Sequence, residues 1–456
     1  MKPAQRKARR RGLLIGVALG LSAALGVLVW QRSVQPPASP TARVQQKVSP
    51  STPLTTPQKM LPLSGVGATE AAPNPENPSA PSPALTPSPV PSDPTALLTP
   101  LPTPPKGEFA ERIARMTPEE RVAQQMFSYV PADVKAARAL LNIGLGGVFV
   151  NRSQGPRLED YHTFLKALSS AARVPPLVGI DQEGGNVARV RDVEMQFPPN
   201  ATLGALEPKL ALEKVQHQGQ TFGTRLKAAG FSVDFAPVID VATNARGRVI
   251  AALGRAYSSD PEEVSTLGRA FALELQGAGL APTFKHFPGH GMVIGDSHKE
   301  VARSRLSRSQ LEPHLAPYRA LLTDPALRQD QMLIMTANVL YPALDARNPA
   351  SLSRAITTDL LRGELKYQGV VLTDALGMKA LSGTLYSRVS RALSAGADLA
   401  LIDPGLEREV PGVVRGLAFD WGADPVRWRQ NADSLERIFR LKRALGLLEP
   451  DPKGTL

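Results

Sequence analysis

The stretch PEEVSTLGRAFALELQGAGLAPTFKHF, residues 261–287, predicts a helix followed immediately by a strand. Proline near the start and Gly279 beyond the end are typical helix boundaries, so we predict a helix over Pro261–Ala278. The apolar segment that follows predicts a buried strand over Pro282–Phe287. Lys285 and a histidine lie near the end of this strand, where buried charge indicates that the side chains face a polar ligand.

The same alternation of helix and strand extends along the chain from residue 107. The eight predicted strands are Val122–Tyr129, Gly146–Val150, Pro176–Asp181, Val233–Asp240, Pro282–Phe287, Met332–Asn338, Gly369–Asp374 and Ala397–Ile402. Further helices are predicted over Ser309–Leu322, Leu376–Ala395 and Val426–Leu445. Eight strands alternating with helices favour an α/β fold, a single (β/α)8 TIM-type barrel over residues 107–450. A doubly wound open sheet is the alternative, but no GxGxxG motif follows an early strand.

The N-terminal residues 1–31 have the pattern of a membrane-targeting segment. Six Lys and Arg residues precede the uncharged run Gly12–Trp30. As a helix this run is roughly 28 Å long, close to the hydrocarbon thickness of about 30 Å. We predict a signal anchor with the rest of the chain outside the cytoplasm. A signal peptide cleaved near Ala24 and Gly26 is the alternative, and either segment exports the protein.

Residues 32–106 are dense in Pro, Ser, Thr and Ala, which predicts a disordered linker. Residues 1–106 carry 11 of the 53 Lys and Arg and 3 of the 41 Asp and Glu, so +8 of the net charge of +12 lies there. The remainder is nearly balanced, and we expect no nucleic-acid partner. The chain has no cysteine, which excludes disulfides, thiol catalysis and cysteine-ligated metals.

Titratable side chains recur where the predicted strands end. They are Asp181, Asp240, Lys285, His286, Asp374 and Asp403. Active sites of such barrels lie at the carboxyl ends of the strands. Any one aspartate is explained equally well as a helix N-cap, but recurrence over five strands indicates a site for a polar ligand.

The segment KHFPGHGMVIGDSH, Lys285–His298, contains three of the six histidines. Proline and glycine separate His286 from His290, so the two rings do not share a helical face, and we predict neither a metal site nor a cofactor. Asp296 precedes His298 by two residues. In an extended loop Asp296 can accept a hydrogen bond from one ring nitrogen of His298, raise the pKa of the imidazole and leave the other nitrogen to transfer a proton.

Two further segments carry acids directly after strands. Asp374 in VVLTDALGM is either an N-cap or a nucleophile directed into the barrel mouth. In DQEGGNVAR, the paired glycines permit a tight turn and Asp181 can accept hydrogen bonds from sugar hydroxyls. Glu183 and Arg189 can form a supporting ion pair there, and a plain surface turn is the alternative.

Taken together, KHFPGHG with DSH four residues later, DQEGGNVAR, LGRAYSSDP and LTDALGM resemble glycoside hydrolase family 3, specifically the NagZ-type β-N-acetylglucosaminidases (β-hexosaminidases). The resemblance implies a TIM-type barrel, with Asp374 as nucleophile, His298 as acid/base and Asp296 orienting His298. It further implies sugar binding by Asp181, Arg255, Lys285 and His286. The chain departs from the common pattern at Met292, at Asn338 where histidine is frequent, and at Ala375 where a second acid is frequent.

The expected activity is that of a retaining exo-β-N-acetylglucosaminidase, acting on terminal GlcNAc of peptidoglycan fragments or chitooligosaccharides. A family 3 β-glucosidase, a β-glycoside phosphorylase and an inactive sugar-binding protein are the alternatives. We expect a carbohydrate substrate, a membrane contact through the N-terminal helix, and a monomer.

Overall fold

Eight parallel strands form a nearly closed barrel in the computed structural model, which describes residues 107–150, 156–169, 173–296, 300–422 and 424–449. The strands are β1 Met126–Tyr129, β2 Gly147–Phe149, β3 Leu177–Ile180, β4 Val233–Asp234, β5 Ala281–Phe287, β6 Leu333–Thr336, β9 Val370–Thr373 and β10 Ala400–Ile402. Their order is β10-β1-β2-β3-β4-β5-β6-β9, and every pair is parallel. The predicted segments 1–31 and 32–106 lie outside the described residues.

The barrel is completed where β9 approaches β10. The Thr373 amide donates to the carbonyl of Leu399 at 3.0 Å, and the Leu399 amide donates to that of Val371 at 3.1 Å. All eight predicted strands are therefore present, and the open sheet is excluded. The first predicted strand began too early, because residues 118–123 form a helix whose N-cap is Thr117.

Helices cover the outside of the barrel. They are α1 Ala110–Arg115, α2 Pro118–Ala123, α3 Val134–Leu141, α4 Leu158–Ser169, α5 Asn200–Gly204, α6 Pro208–Ala229, α7 Pro261–Gly277, α8 Glu312–Leu322, α9 Leu385–Ser394, α10 Val410–Trp421 and α11 Pro425–Ala444. A π-helix spans Ala355–Glu364, and β7 Leu340–Tyr341 pairs with β8 Asp345–Pro349 in a small antiparallel sheet. Within the described ranges no helix has the length and apolarity that crossing a membrane requires.

The helix predicted over Leu376–Ala395 is wrong in its first half. Helix α9 begins only at Leu385, where the side chain of Thr384 accepts a hydrogen bond from the Ser387 amide. Gly383 precedes this cap with φ +92°, a left-handed conformation that interrupts a helix. The chain after β9 therefore forms turns over the barrel mouth before the helix starts.

Apolar side chains fill two layers. The outer layer lies between strands and helices, and the inner layer fills the barrel with residues such as Phe127, Phe235 and Leu372. Phe439 of α11 belongs to the inner layer and helps to close the amino end of the barrel. Glu436, one turn earlier, accepts hydrogen bonds from the amides of residues 108 and 109 at 3.0 Å and fixes the start of the domain to α11.

Candidate active site

A cavity of about 180 Å3 opens at the carboxyl end of the barrel. It is lined by Phe149, Asp181, Arg189, Phe235, Val249, Arg255, Lys285, His286, His290, Met335, Asp374, Ala375, Met378, Leu401, Asp403 and Pro404. Five of the seven predicted site residues thus meet in one cavity, because the carboxyl ends of parallel strands converge at this rim. Asp296 is not among the lining residues, and His298 lies outside the described part of the chain.

Three charged residues that line the cavity, Asp181, Lys285 and Arg255, form what we call the charged wall. Lys285 contacts two carboxylates. Its ammonium contacts the carboxylate of Asp181 at 2.6 Å and that of Glu183 at 2.6 Å, and its side chain is buried. Burial alone would lower the pKa of Lys285, but the two carboxylates outweigh it and raise the pKa above its usual value. Lys285 is therefore a fixed cation whose donors lie beside the cavity.

Glu183 also holds Arg255. The guanidinium donates from Nε to Oε2 of Glu183 at 2.8 Å and from Nη2 to Oε1 at 2.6 Å. Burial would raise the pKa of Glu183, yet the charges of Arg255 and Lys285 hold it well below its usual range. For Arg255, burial would lower the pKa, and the Glu183 carboxylate raises it instead. All three groups are charged.

The predicted ion pair between Glu183 and Arg189 is wrong. Glu183 points to Arg255 and Lys285, whereas the Nη2 of Arg189 lies 3.7 Å from Oδ2 of Asp181. Asp181 is therefore placed between two cations, and with its side chain 23% exposed it keeps contact with the cavity. A carboxylate so placed can accept hydrogen bonds from sugar hydroxyls.

His286 is oriented by Asp240. Its Nδ1 lies 2.7 Å from Oδ2 of the fully buried Asp240 carboxylate, and its Nε2 lies 3.4 Å from Nη2 of Arg255. A guanidinium only donates, so Nε2 accepts and Nδ1 carries the proton donated to Asp240. Burial would raise the pKa of Asp240, but His286 outweighs it and lowers that pKa. Asp240 also accepts from the His290 amide at 2.6 Å.

His290 faces the same cavity as a neutral ring. Its ring centroid lies 5.8 Å from that of His286 in an edge-to-face arrangement. Burial, followed by the neighbouring His286, lowers the pKa of His290 to about 4. Across the described residues no three His, Asp or Glu side chains converge as metal ligands.

Asp374 follows the last residue of β9 and is 8% exposed. Its amide donates to the Thr336 carbonyl at 2.9 Å, which ties the end of β9 to β6. Oδ1 accepts a hydrogen bond from the Ala375 amide at 2.8 Å. No helix begins here, so the N-cap alternative is excluded, and the carboxylate faces the cavity.

The acid/base pair proposed from the sequence stays a prediction, because Ser297, His298 and Lys299 lie outside the described residues. Asp296 itself is half-buried, and its carbonyl accepts a hydrogen bond from the Glu300 amide at 3.0 Å. The preceding loop is fixed to the barrel where Asn244 donates to the Met292 carbonyl at 3.2 Å.

Glu183 and Asp240 were both noted in the sequence, but their roles as positioning residues were not identified from it. Glu183 joins the two binding cations, and Asp240 orients His286 and the amide of His290. The available signal for Asp240 was its place at a strand end. For Glu183 the sequence suggested the nearby Arg189 as a partner, and no local pattern indicated that the true partners come from β5 and from the loop after β4.

Comparisons with known proteins agree with this architecture. The model of the glycosyl hydrolase family 3 N-terminal domain matches residues 117–419. A β-hexosaminidase of Thiobacillus denitrificans is 39% identical over 263 residues, 56% of this chain and 70% of that protein. A β-hexosaminidase of Alkalilimnicola ehrlichii is 36% identical over 338 residues, 68% of this chain and 92% of the relative.

Solved structures lead to the same family. The β-N-acetylhexosaminidase from Beutenbergia cavernae superimposes with a TM-score of 0.66 at 26% identity, covering 73% of this chain and 99% of that one. A family 3 β-N-acetylglucosaminidase from Paenibacillus has a TM-score of 0.64 at 31% identity, covering 73% of this chain and 63% of that one. The chain therefore belongs to glycoside hydrolase family 3 and is a glycoside hydrolase.

Proposed function

We propose that this glycoside hydrolase is a retaining exo-β-N-acetylglucosaminidase that releases terminal β-linked GlcNAc. The observation that carries the proposal is the cavity itself, which is lined both by Asp374 and by the charged wall of Asp181, Lys285 and Arg255. The names of the curated relatives, β-hexosaminidases, support GlcNAc over glucose.

In the proposed mechanism, Asp374 attacks the anomeric carbon while protonated His298 donates its proton to the departing glycosidic oxygen. The C1–oxygen bond to the leaving group breaks and an ester forms between C1 and the Asp374 carboxylate. His298, now neutral, takes a proton from water as the water oxygen attacks C1 and the ester bond between C1 and the Asp374 carboxylate breaks. This releases GlcNAc with retained configuration and restores both groups, and Asp296 orients the imidazole.

The charged wall would bind the sugar in a fixed orientation. Lys285, Arg255 and His286 offer fixed polar atoms, and Asp181 offers acceptor oxygens. We include Arg189 in the binding set, because it lines the cavity beside Asp181. These partners are already oriented in the described structure, so little ordering is left for the bound state.

We propose that the activity is displayed outside the cytoplasm, tethered by residues 1–31 and the linker over residues 32–106, with the catalytic domain monomeric. The cationic flank and the uncharged run Gly12–Trp30 support the export. Peptidoglycan fragments and chitooligosaccharides are the substrates that such a location favours.

The test compares hydrolysis of aryl β-GlcNAc and aryl β-glucoside by the full-length protein, with and without phosphate. We expect preference for GlcNAc and no effect of phosphate. Asp374→Ala should be nearly inactive, and a fluorinated slow substrate should label Asp374. His298→Ala should lose least activity with good leaving groups, which need little protonation. His162→Ala, at an exposed position of α4, should match wild type.

Three outcomes would contradict parts of the proposal. Faster turnover of glucoside, or dependence on phosphate, would indicate a β-glucosidase or a phosphorylase. Sugar binding without hydrolysis of any aryl β-glycoside would indicate an inactive binding protein. An equal loss for His298→Ala across all leaving groups would remove His298 as the acid.

A further inference from the structure

Asn338, two residues after β6, is fully buried and uses every polar atom of its side chain. Its Nδ2 donates to the Ala375 carbonyl at 2.7 Å and to Sδ of Met378 at 3.3 Å. Its Oδ1 accepts a hydrogen bond from the hydroxyl of Ser351. Both amide hydrogens therefore bind the segment that follows Asp374.

The contacts continue to the carboxylate of Asp374. The Ala375 amide donates to Oδ1 of Asp374 at 2.8 Å, and the carbonyl of the same residue accepts from Asn338. Ala375 is thus held at both of its backbone polar groups. Among the described residues, this amide is the group that donates to the Asp374 carboxylate.

We propose that Asn338 is a positioning residue for the nucleophile, an inference that rests on the proposed function of Asp374. Asn338 fixes Ala375, and the amide of Ala375 fixes Oδ1 of Asp374, so that Oδ2 is the oxygen that attacks the anomeric carbon. Rotation of the Asp374 carboxylate would break the hydrogen bond from the Ala375 amide. The backbone of Ala375 cannot move with the carboxylate, because Asn338 holds the Ala375 carbonyl.

We call the series of hydrogen bonds from Ser351 through Asn338 and Ala375 to Asp374 the Asn338 relay. Ser351, where the relay begins, is itself held by backbone hydrogen bonds. Its amide donates to the Ala337 carbonyl at 3.0 Å, and the adjacent Ala350 amide donates to that of Val339 at 2.9 Å. The segment carrying Ser351 is therefore bound to both neighbours of Asn338. Asn338 itself does not line the cavity, so it acts on the reaction through the two lining residues that it contacts, Ala375 and Met378, and of these Ala375 donates to Asp374.

The experiment uses the full-length protein and four variants. Asn338→Ala removes the hydrogen bonds to Ala375 and Met378, and Ser351→Ala removes the donor to Asn338. Asn338→Asp keeps the shape of the side chain but donates a hydrogen bond only when it is protonated. Asn431→Ala is the matched control, because Asn431 is equally buried and donates to Gln125 at 2.7 Å and to the Arg121 carbonyl at 3.3 Å on the opposite end of the barrel.

The readouts are the rate of Asp374 labelling by a fluorinated slow substrate, kcat/KM on aryl β-GlcNAc, affinity for free GlcNAc and the thermal midpoint. For Asn338→Ala we expect labelling and kcat/KM to fall about 100-fold, the loss typical of a misplaced reacting group. Affinity for GlcNAc should stay within about threefold, since ground-state binding uses other residues. Ser351→Ala should lose less, in the same direction.

Asn338→Asp provides a pH test. Its activity relative to wild type should be highest at low pH and fall as the introduced acid ionises and stops donating to Ala375. Asn431→Ala should lower the thermal midpoint and leave labelling, kcat/KM and the pH profile at wild-type values.

Wild-type labelling by Asn338→Ala would overturn the proposal, as would a loss of GlcNAc affinity equal to the loss of kcat/KM. A flat activity ratio for Asn338→Asp would do the same. If the wild type hydrolyses aryl β-glucoside but not aryl β-GlcNAc, the proposed specificity is wrong. The role of Asn338 is then tested by measuring kcat/KM of the same variants on aryl β-glucoside. A protein inactive on every aryl β-glycoside would overturn both.

Discussion

Glu183→Gln should remove most of the catalytic efficiency while changing the shape of the side chain very little. The carboxylate receives three N–H donors, two from Arg255 and one from Lys285, at 2.6–2.8 Å. Glutamine offers one acceptor oxygen, and its amide group would face a cation. Asp181 would then be the remaining counter-charge for Lys285 among the described contacts.

The expected magnitude follows from this loss of pairing. Removing one partner of a buried ion pair costs about 3–5 kcal/mol, because an uncompensated buried charge remains. We expect that decrease in the free energy of unfolding. A displacement of Lys285 and Arg255 on the order of 1 Å would lower kcat/KM by about 100-fold.

The pH dependence of kcat/KM provides an independent test. In the wild type, Asp181 and Glu183 raise the pKa of Lys285 against the effect of burial. A raised folded-state pKa keeps the ammonium charged below that pKa and lets it lose the proton only as the pH rises through it. Glu183→Gln removes one of the two raising charges. The alkaline limb of kcat/KM should therefore move to lower pH.

The assay measures kcat/KM from pH 5 to pH 11, which includes the start of the alkaline limb, and urea unfolding at pH 7, with Glu436→Gln as the control. Glu436 is a buried carboxylate at the amino end of the barrel, which accepts two backbone amides and contacts Arg440. It should lose stability and keep the wild-type pH profile. Wild-type efficiency and an unmoved alkaline limb in Glu183→Gln would refute the reasoning.

Two further predictions concern buried groups whose ionisation opposes folding, and both are checked by urea unfolding at several pH values. Burial lowers the pKa of Lys442 from 10.5 to about 7, so its cost to folding is complete below pH 7 and disappears as the pH rises towards 10.5. The shift corresponds to a limit of about 5 kcal/mol. Lys442→Met should recover about 3 kcal/mol at pH 6, since it leaves Gln124 without the donor at 2.7 Å; lower stability than wild type at pH 6 would contradict this. Burial raises the pKa of Asp234 well above 3.8, so stability is complete at low pH and is lost as the pH rises through the folded-state pKa. Asp234→Asn keeps the acceptor for the Gln182 amide at 3.0 Å and should be more stable than wild type at pH 8 but not at pH 4; an equal gain at both pH values would contradict the assignment.

The strands were predictable because most are short, largely apolar runs that are buried in the fold, which composition reveals directly. Pro261–Gly277 was predictable for a similar reason, since its boundaries carry a proline and a glycine. The β7–β8 hairpin was not predicted, because its second strand, Asp345–Pro349, is polar and partly exposed. Leu376 was placed in a helix because apolar spacing alone does not reveal that the chain turns over the barrel mouth first.

In the site, the sequence predicted which residues lie together but not how their charges pair. Strand ends predicted which side chains would meet, because the closed barrel brings every carboxyl end to one rim. They did not predict which charges would pair. Arg189 is six residues from Glu183, yet Glu183 pairs with Arg255, 72 residues away. A carboxylate that stays charged when it is buried needs a cation buried beside it. The curvature of the barrel, which no local sequence pattern shows, determines which cation that is. The contacts of Asn338 were not predictable from local sequence either. In the sequence, Asn338 was noted only as a departure from the family pattern. Its contacts to the segment after Asp374 exist because β6 and β9 are neighbours in the sheet.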